Sequence, residues 1–313
     1  VVTVDSLVGG HRDAVLGGDF VQADLGDAGT LDTLLASHCV DVVMHFASFI
    51  EVGESVQDPG KYYRNNVCST VHLLDAMVRR GVRKFIFSST AAIFGEPAYV
   101  PIDERHPLAP VSPYGASKLM VERMLRDYDR AHGLRSVCLR YFNAAGADPL
   151  GHIGERHEPE THLIPLLLQA AAGRRRYASI FGRDYDTPDG TCVRDYIHVL
   201  DLCQAHLRAM EWLRDGGASA AFNLGSGAGY SVLSVIRAVE RVTGKPLPVR
   251  DAARRPGDPA QLVADPTLAR RELAWRPQRT IETIVRDAWH FDRLHFGRDS
   301  EMRPTQAVGI RRR

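Results

Sequence analysis

Short β-branched, apolar runs alternate with stretches of helical periodicity over the first 145 residues, and this alternation constrains the fold more than any single motif. Val1-Val2-Thr3-Val4-Asp5 is such a run, ends in an acid, and is followed by Ser6 and Gly9-Gly10. The pattern predicts strands at 20–24, 40–45, 83–88 and 135–142, and helices at 30–38, 61–80 and 113–132. The 40–45 strand leads into Phe46-Ala47-Ser48, and Asn65 and Asn66 fall inside the 61–80 helix. Strand, helix, strand in repetition demands crossover connections, hence a parallel sheet covered on both faces. The predicted class is α/β, a Rossmann-type doubly wound parallel sheet occupying 1–145. A smaller α/β domain over 146–296 follows, with segments near 179–228 returning to the first domain. Residues 144–161 read as a loop or lid, and 297–313, ending in three arginines, as a disordered tail.

Composition narrows the class of partner. With 44% apolar and 25% charged residues the chain is that of a globular protein, and a net charge of +1 gives no electrostatic case for nucleic acid or a membrane surface. No run reaches the apolar length of a membrane span. Cys39, Cys68, Cys138, Cys192 and Cys203 lack Cys-x-x-Cys spacing and read as buried thiols in a reducing compartment, so the cytoplasm is expected.

The chemistry gathers at Ser112-Pro113-Tyr114-Gly115-Ala116-Ser117-Lys118. Ser112 suits a helix cap and Pro113 the first helical position. Tyr114 and Lys118 then stand one turn apart on one face. A lysine ammonium nearby favours the phenolate and should lower the phenol's pKa from its usual ~10. Such a tyrosine takes a proton from a hydroxyl while the adjacent carbon is oxidised. Alone, Tyr-x-x-x-Lys is also the mark of a helix start with two exposed polar residues. Ser88-Ser89-Thr90, at the carboxyl end of a predicted strand where ligands of parallel sheets bind, sharpens it. Asp5, ending an early strand, would bond the ribose hydroxyls of an adenosine and repel a 2′-phosphate, favouring NAD over NADP. Asp24 and Leu25 could border the adenine.

With these come His45-Phe46-Ala47-Ser48, Tyr62-Tyr63-Arg64-Asn65-Asn66-Val67, Leu139-Arg140-Tyr141-Phe142-Asn143, Ile180-Phe181-Gly182-Arg183-Asp184-Tyr185, Arg194-Asp195-Tyr196-Ile197-His198-Val199 and Arg254-Arg255-Pro256-Gly257-Asp258. Together they resemble the extended short-chain dehydrogenase/reductase family, and within it the sugar-nucleotide 4-epimerases, over residues 1 to about 295. The resemblance implies NAD-dependent interconversion of UDP-glucose and UDP-galactose by oxidation at C4, rotation of the 4-keto sugar and re-reduction. It makes Tyr114 the base, with Thr90 assisting and Lys118 holding the nicotinamide ribose. It lines the cofactor with Asp5, Ser6, Asp24, Leu25, Phe46, Ala47, Ser48, Asn65, Ser88 and Phe142. It assigns Thr90, Asn143, His162, Leu163, Ser179, Phe181, Arg194, Arg255, Asp258 and Leu262 to the UDP-sugar. Two arginines suit a diphosphate. A homodimer, packed through the 61–80 and 113–132 helices, is also implied.

Three departures bear on this. The glycine fingerprint expected about 20 residues before Asp5 has no counterpart in the sequence. The central strand of the 3-2-1-4-5-6 order would be missing, and the chain reads as a fragment of an epimerase that by itself binds NAD poorly. Ile50 stands where some relatives carry lysine. Leu262 leaves the choice between plain and N-acetylated sugars open. A UDP-pentose 4-epimerase uses the same residues, and a truncated, non-catalytic nucleotide-binding protein is the alternative of another class. A 4,6-dehydratase would need carboxylates after Thr90, where Ala91 and Ala92 stand. His152, His157 and His162 are five apart, a spacing that does not share a helix face, so no metal is expected.

Overall fold

The computed structural model describes residues 1–255 and 257–297. Apart from Gly297, the segment expected to be a disordered tail lies outside the described residues, as does Pro256.

In chain order the first lobe runs β1 (Val2–Asp5), β2 (Asp19–Gln22), α1 (Ala28–Ser37), β3 (Val43–His45), α2 (Val52–Gln57), α3 (Pro59–Tyr62), α4 (Ser69–Arg80), β4 (Lys84–Thr90), α5 (Pro113–His132) and β5 (Arg135–Tyr141). The rest runs β6 (Asn143–Ala145), α6 (Leu163–Ala171), β7 (Ala178–Phe181), β8 (Val193–His198), α7 (Val199–Arg214), β9 (Ala220–Leu224), β10 (Gly229–Ser231), α8 (Val232–Thr243), β11 (Val249–Ala252), β12 (Gln261–Leu262), α9 (Thr267–Glu272) and α10 (Ile281–Phe296). Strands β3, β4, β5 and β9 form one sheet in that order, every pair parallel. Successive side chains of β4 point to opposite faces, as the pleat requires. Phe85 and Phe87 join Leu31, Leu74, Met77 and Leu125 on one side. Ile86 joins Leu139, Ala205, Phe222 and Trp275 on the other. A separate core around Leu167, Ile180, Tyr196, Val235 and Ile284 unites α6, α8 and α10 with β7 and β8. Strand β8 pairs with β6 and β12 in parallel and with β10 antiparallel. No described helix is long and apolar enough to cross a membrane.

Strands β1 and β2 pair only with each other, as a sheet apart from β3–β4–β5–β9, which is the gap expected at the central strand. Among the described residues no strand joins β1 to β3, so each keeps one free edge. The expected helix over 61–80 is interrupted: Tyr63–Cys68 is a π-helical turn between α3 and α4. Such wide turns re-aim side chains within an otherwise regular helix. The 144–161 loop begins with β6, which extends the β8 sheet. Only Cys138 and Cys192 are buried; Cys39, Cys68 and Cys203 are exposed.

Helix α5 is anchored by a buried ion pair. Glu122 accepts from Arg140 of β5 at 3.0 and 2.7 Å and from the Ser89 hydroxyl of β4 at 2.6 Å. Both charged side chains are almost fully enclosed, so each compensates the other's lost hydration. Replacing Glu122 alone with alanine strands the Arg140 guanidinium. The expected loss is about 3–5 kcal/mol, seen as a lower urea midpoint at unchanged slope. An unchanged midpoint would mean that this pair does not anchor the helix.

Candidate active site

The site is built where α5 starts against the end of β4. The Ser112 hydroxyl accepts the Gly115 N–H at 3.2 Å, capping the helix, and Pro113 fills its first turn. Gly115 is required here: a Cβ would lie 2.5 Å from the Ala92 carbonyl oxygen. The close approach sets the half-buried Tyr114 at the end of β4, where the Thr90 hydroxyl is near enough to favour its ionised form. Thr90 Oγ1 also accepts the Ala92 N–H at 3.1 Å. One turn on, Lys118 is buried and donates from Nζ to the Ser88 carbonyl at 2.9 Å. Its ammonium nitrogen sits 4.9 Å from the Phe87 ring centre and 6.0 Å from that of Tyr114.

The electrostatics depart from the expectation at Tyr114. Burial pushes its phenol above the ordinary value, and only the Thr90 hydroxyl works against this. Burial also brings Lys118 down to about 7. Each group is penalised for carrying charge, so the lysine does not hold the tyrosine below its ordinary value in this state.

The residues assigned to a dinucleotide lie along the strand ends. Asp5 Oδ1 accepts the Leu7 N–H at 2.6 Å, and a Cβ on Gly10 would come 2.8 Å from the same oxygen, so glycine leaves that carboxylate approachable. Asp24 accepts the Gly26 N–H at 2.6 Å, and Leu25 packs on the core around Leu31 and Leu74. Ser6 sits just beyond β1, half-buried. Phe46 is 57% exposed, its ring 4.8 Å from that of His206; Ala47 beside it is also exposed. The Ser48 hydroxyl donates to the Phe49 carbonyl. The Phe142 N–H donates to the Leu224 carbonyl. Asn65 donates to the Asn66 side chain at 2.9 Å. Asn66, quoted in a motif but given no role, is the clamp: it bonds both the N–H and the carbonyl of Phe49 and reaches Ser117 on α5 at 3.1 Å. The donor set fits the two ends of NAD, with Asp5 and Asp24 at one and Tyr114 and Lys118 at the other. None of the described residues forms the glycine-rich turn that would hold the pyrophosphate.

A cavity of about 370 Å³ lies beyond β6, β7 and β8. Its lining brings together Asn143, His162, Leu163, Ser179, Phe181, Arg194, Arg255 and Asp258. Arg194 is ion-paired with Asp258. The Arg255 guanidinium lies over the Phe181 ring at 4.1 Å. Thr90 and Leu262 are not in this lining; Leu262 packs with Phe142 against Ile93 and Phe94. Asp195 was quoted in a motif but given no role. It is fully buried and accepts from the backbone N–H groups of Ser226, Gly227 and Ala264, which fixes the Gly225–Gly229 turn.

Glu155 and Glu160 also line the cavity, and neither was singled out. His157 and His162 both face them, while His152 pairs with Asp148. The helix-spacing argument against a cluster fails because residues 152–162 are not helical. Hydrogen bonds to Glu155 and then Glu160 raise His157 to about 9 and His162 to about 10. Burial alone would raise Glu160, but its bonds to the two imidazoles hold it well below the usual carboxylate range.

A parallel sheet with Thr90, Tyr114 and Lys118 at one strand end, together with a cavity bearing Arg175, Arg194 and Arg255, is the arrangement of the extended short-chain dehydrogenase/reductases that act on sugar nucleotides. A family model described as GDP-mannose 4,6 dehydratase matches residues 10–288. A UDP-glucose 4-epimerase of Halalkalibacterium halodurans is 50% identical over 296 residues, spanning 94% of this chain and 89% of the relative. The crystal structure of UDP-glucose 4-epimerase from Brucella ovis in complex with NAD superposes with a TM-score of 0.90 at 49% identity, over 93% of this chain and 90% of that one. That of UDP-glucose-4-epimerase from Stenotrophomonas maltophila, with bound NAD and formylated UDP-arabinopyranose, gives 0.92 at 40% identity, over 95% and 91%. The chain belongs to the UDP-glucose 4-epimerase family.

Lys118 gives a test of the site's electrostatics. Its ordinary value is 10.5, so between about 7 and 10.5 the unfolded chain holds a proton that the folded chain lacks. In that window its contribution makes stability rise with pH. Lys118→Met removes it. The stability of this variant relative to the parent should therefore be greatest below pH 7 and decline as pH climbs towards 10. Denaturant titrations at several pH values would read this, and a pH-independent difference would contradict the buried, weakly protonated lysine.

Proposed function

We propose that this chain interconverts UDP-glucose and UDP-galactose at C4 with NAD as its cofactor. The observation that carries the reading is that α5 is capped by Ser112 at the end of β4, with Lys118 bonded to the Ser88 carbonyl one turn after Tyr114, while Asn143, just beyond the neighbouring strand β5, lines a cavity that also holds Arg194 and Arg255. NAD held by these residues would supply the acceptor and donor of the C4 hydride.

Tyr114 accepts the proton of the 4-hydroxyl, and Thr90 orients that oxygen by hydrogen bonding. The phenol is costly to ionise in the buried site, and the Thr90 hydroxyl is the group that favours the phenolate, while Lys118 holds the nicotinamide ribose. The same proton goes back to the 4-oxygen once the keto sugar has turned its other face. The carbon-bound hydrogen never enters the phenol's hydrogen-bond path, so it is kept from water. Arg194 and Arg255 neutralise the diphosphate, Phe181 and Leu163 pack against the nucleotide, and Asn143, His162, Ser179 and Asp258 hydrogen-bond it. Asp5, Ser6, Asp24 and Leu25 hold the adenosine, and Phe46, Ala47, Ser48, Asn65, Ser88 and Phe142 border the nicotinamide half. The first lobe, with its returning strand β9, then serves as the NAD-binding domain and 146–296 as mainly the UDP-sugar domain.

Unpaired thiols throughout the chain support a cytoplasmic setting. Exposed Val52, Val56 and Met120, on α2 and α5, support pairing with a second copy. The UDP-arabinopyranose derivative held by the Stenotrophomonas relative favours testing a pentose as well.

At saturating NAD, Tyr114→Phe is expected to lower kcat on UDP-galactose by about 10²–10⁴-fold while the melting temperature stays put. Wild-type turnover in that variant would sink the assignment. Product analysis on UDP-galactose and UDP-arabinose separates the hexose from the pentose enzyme.

A further inference from the structure

We propose that Glu155, His157, Glu160 and His162 form a binding site for one divalent transition-metal ion on the wall of the nucleotide cavity. The four side chains come from eight consecutive residues, and one ligand atom of each lies within 4.8 Å of all the others. His162 Nδ1 is 2.7 Å from Glu155 Oε1 and 3.2 Å from Glu160 Oε1. His157 Nδ1 is 3.2 Å from Glu155 Oε1 and 3.8 Å from Glu160 Oε2. In a tetrahedral site with bonds of about 2.0–2.2 Å, neighbouring ligand atoms stand about 3.3–3.6 Å apart. The closest pair would open by somewhat more than half an ångström and the wider pairs, none beyond 4.8 Å, would close to admit an ion at the centre.

Three features separate this cluster from an ordinary surface ion pair. Both imidazoles present the same nitrogen, Nδ1, to one point, their rings 5.2 Å apart and inclined at 51°. The carboxylates are sheltered, the Glu160 side chain being 8% exposed, and Glu160 Oε1 is fixed by the N–H groups of Thr161 and His162, both at 2.8 Å. Such outer hydrogen bonds orient a metal-binding carboxylate. Among the described residues no lysine or arginine pairs with either glutamate; the neighbouring Arg156 turns away to Asp13. Two imidazoles with two carboxylates select zinc, cobalt or manganese rather than calcium or magnesium, which prefer oxygen alone. The ion would fix residues 155–162 as a rigid wall of the cavity. The Thr161 hydroxyl already ties that segment to Glu51, just ahead of α2, at 3.1 Å.

The test uses the whole chain, stripped with chelator and titrated with zinc by calorimetry, with cobalt followed by its d–d absorption. One ion per chain is expected, with the intense cobalt bands of four-coordination. His157→Ala and Glu155→Gln should each weaken zinc binding about tenfold or more. His152→Ala, which leaves the cluster intact, should not. Circular dichroism and the Glu155→Gln variant, which keeps the side-chain shape, guard against misreading a folding defect. No zinc binding overturns the proposal. So does binding that survives His157→Ala, which would assign the ion to the exposed thiols of Cys39, Cys68 or Cys203.

Discussion

The structure depends on how helix α5 is held against the ends of β4 and β5. Three contacts fix it along its length. Gly115 lets the first turn touch the backbone after Thr90, Lys118 bonds the Ser88 carbonyl, and Glu122 is locked between Ser89 and Arg140. These residues recur at roughly helical intervals, so one face of one helix both seals the core and presents Tyr114. In the role proposed for it, Tyr114 on so constrained an element loses little positional freedom, which is where much of the rate advantage of an oriented proton acceptor arises.

The same burial sets the chemistry. A phenol pushed up and a lysine brought down to about 7 mean that neither is charged at no cost. Thr90 is the polar group that favours the phenolate, and it belongs to the strand rather than to the helix. The arrangement is thus made across an interface between elements, which the Glu122–Arg140 pair secures two turns further along α5.

The start of helix α5 was legible to the residue, because Ser112 and Pro113 are local signals with local causes. The alternation of the parallel sheet was legible for the same reason. The charge state of Tyr114 was not: it follows from how much protein surrounds the phenol, and sequence spacing carries no measure of that. The break at Tyr63–Cys68 was missed because the apolar periodicity runs across it. The grouping of Glu155, His157, Glu160 and His162 was missed because it is made by an irregular loop, where residues five apart meet only through the path of the backbone. Asn143, Phe181, Arg194, Arg255 and Asp258 were assigned through shared motifs rather than periodicity, and His162, Leu163 and Ser179 through the resemblance alone. The fold then gathered them from β6, α6, β7, β8 and the loop before β12.

Exchange with solvent tests the central claim most directly. If Tyr114 moves only the hydroxyl proton, the hydrogen on C4 leaves and returns without meeting water. UDP-galactose brought to equilibrium in deuterium oxide, with NAD and this protein, should yield UDP-glucose whose C4 proton signal is undiminished by NMR. Deuterium at C4 would show that the carbon is deprotonated instead, and the account built on Tyr114 would be contradicted.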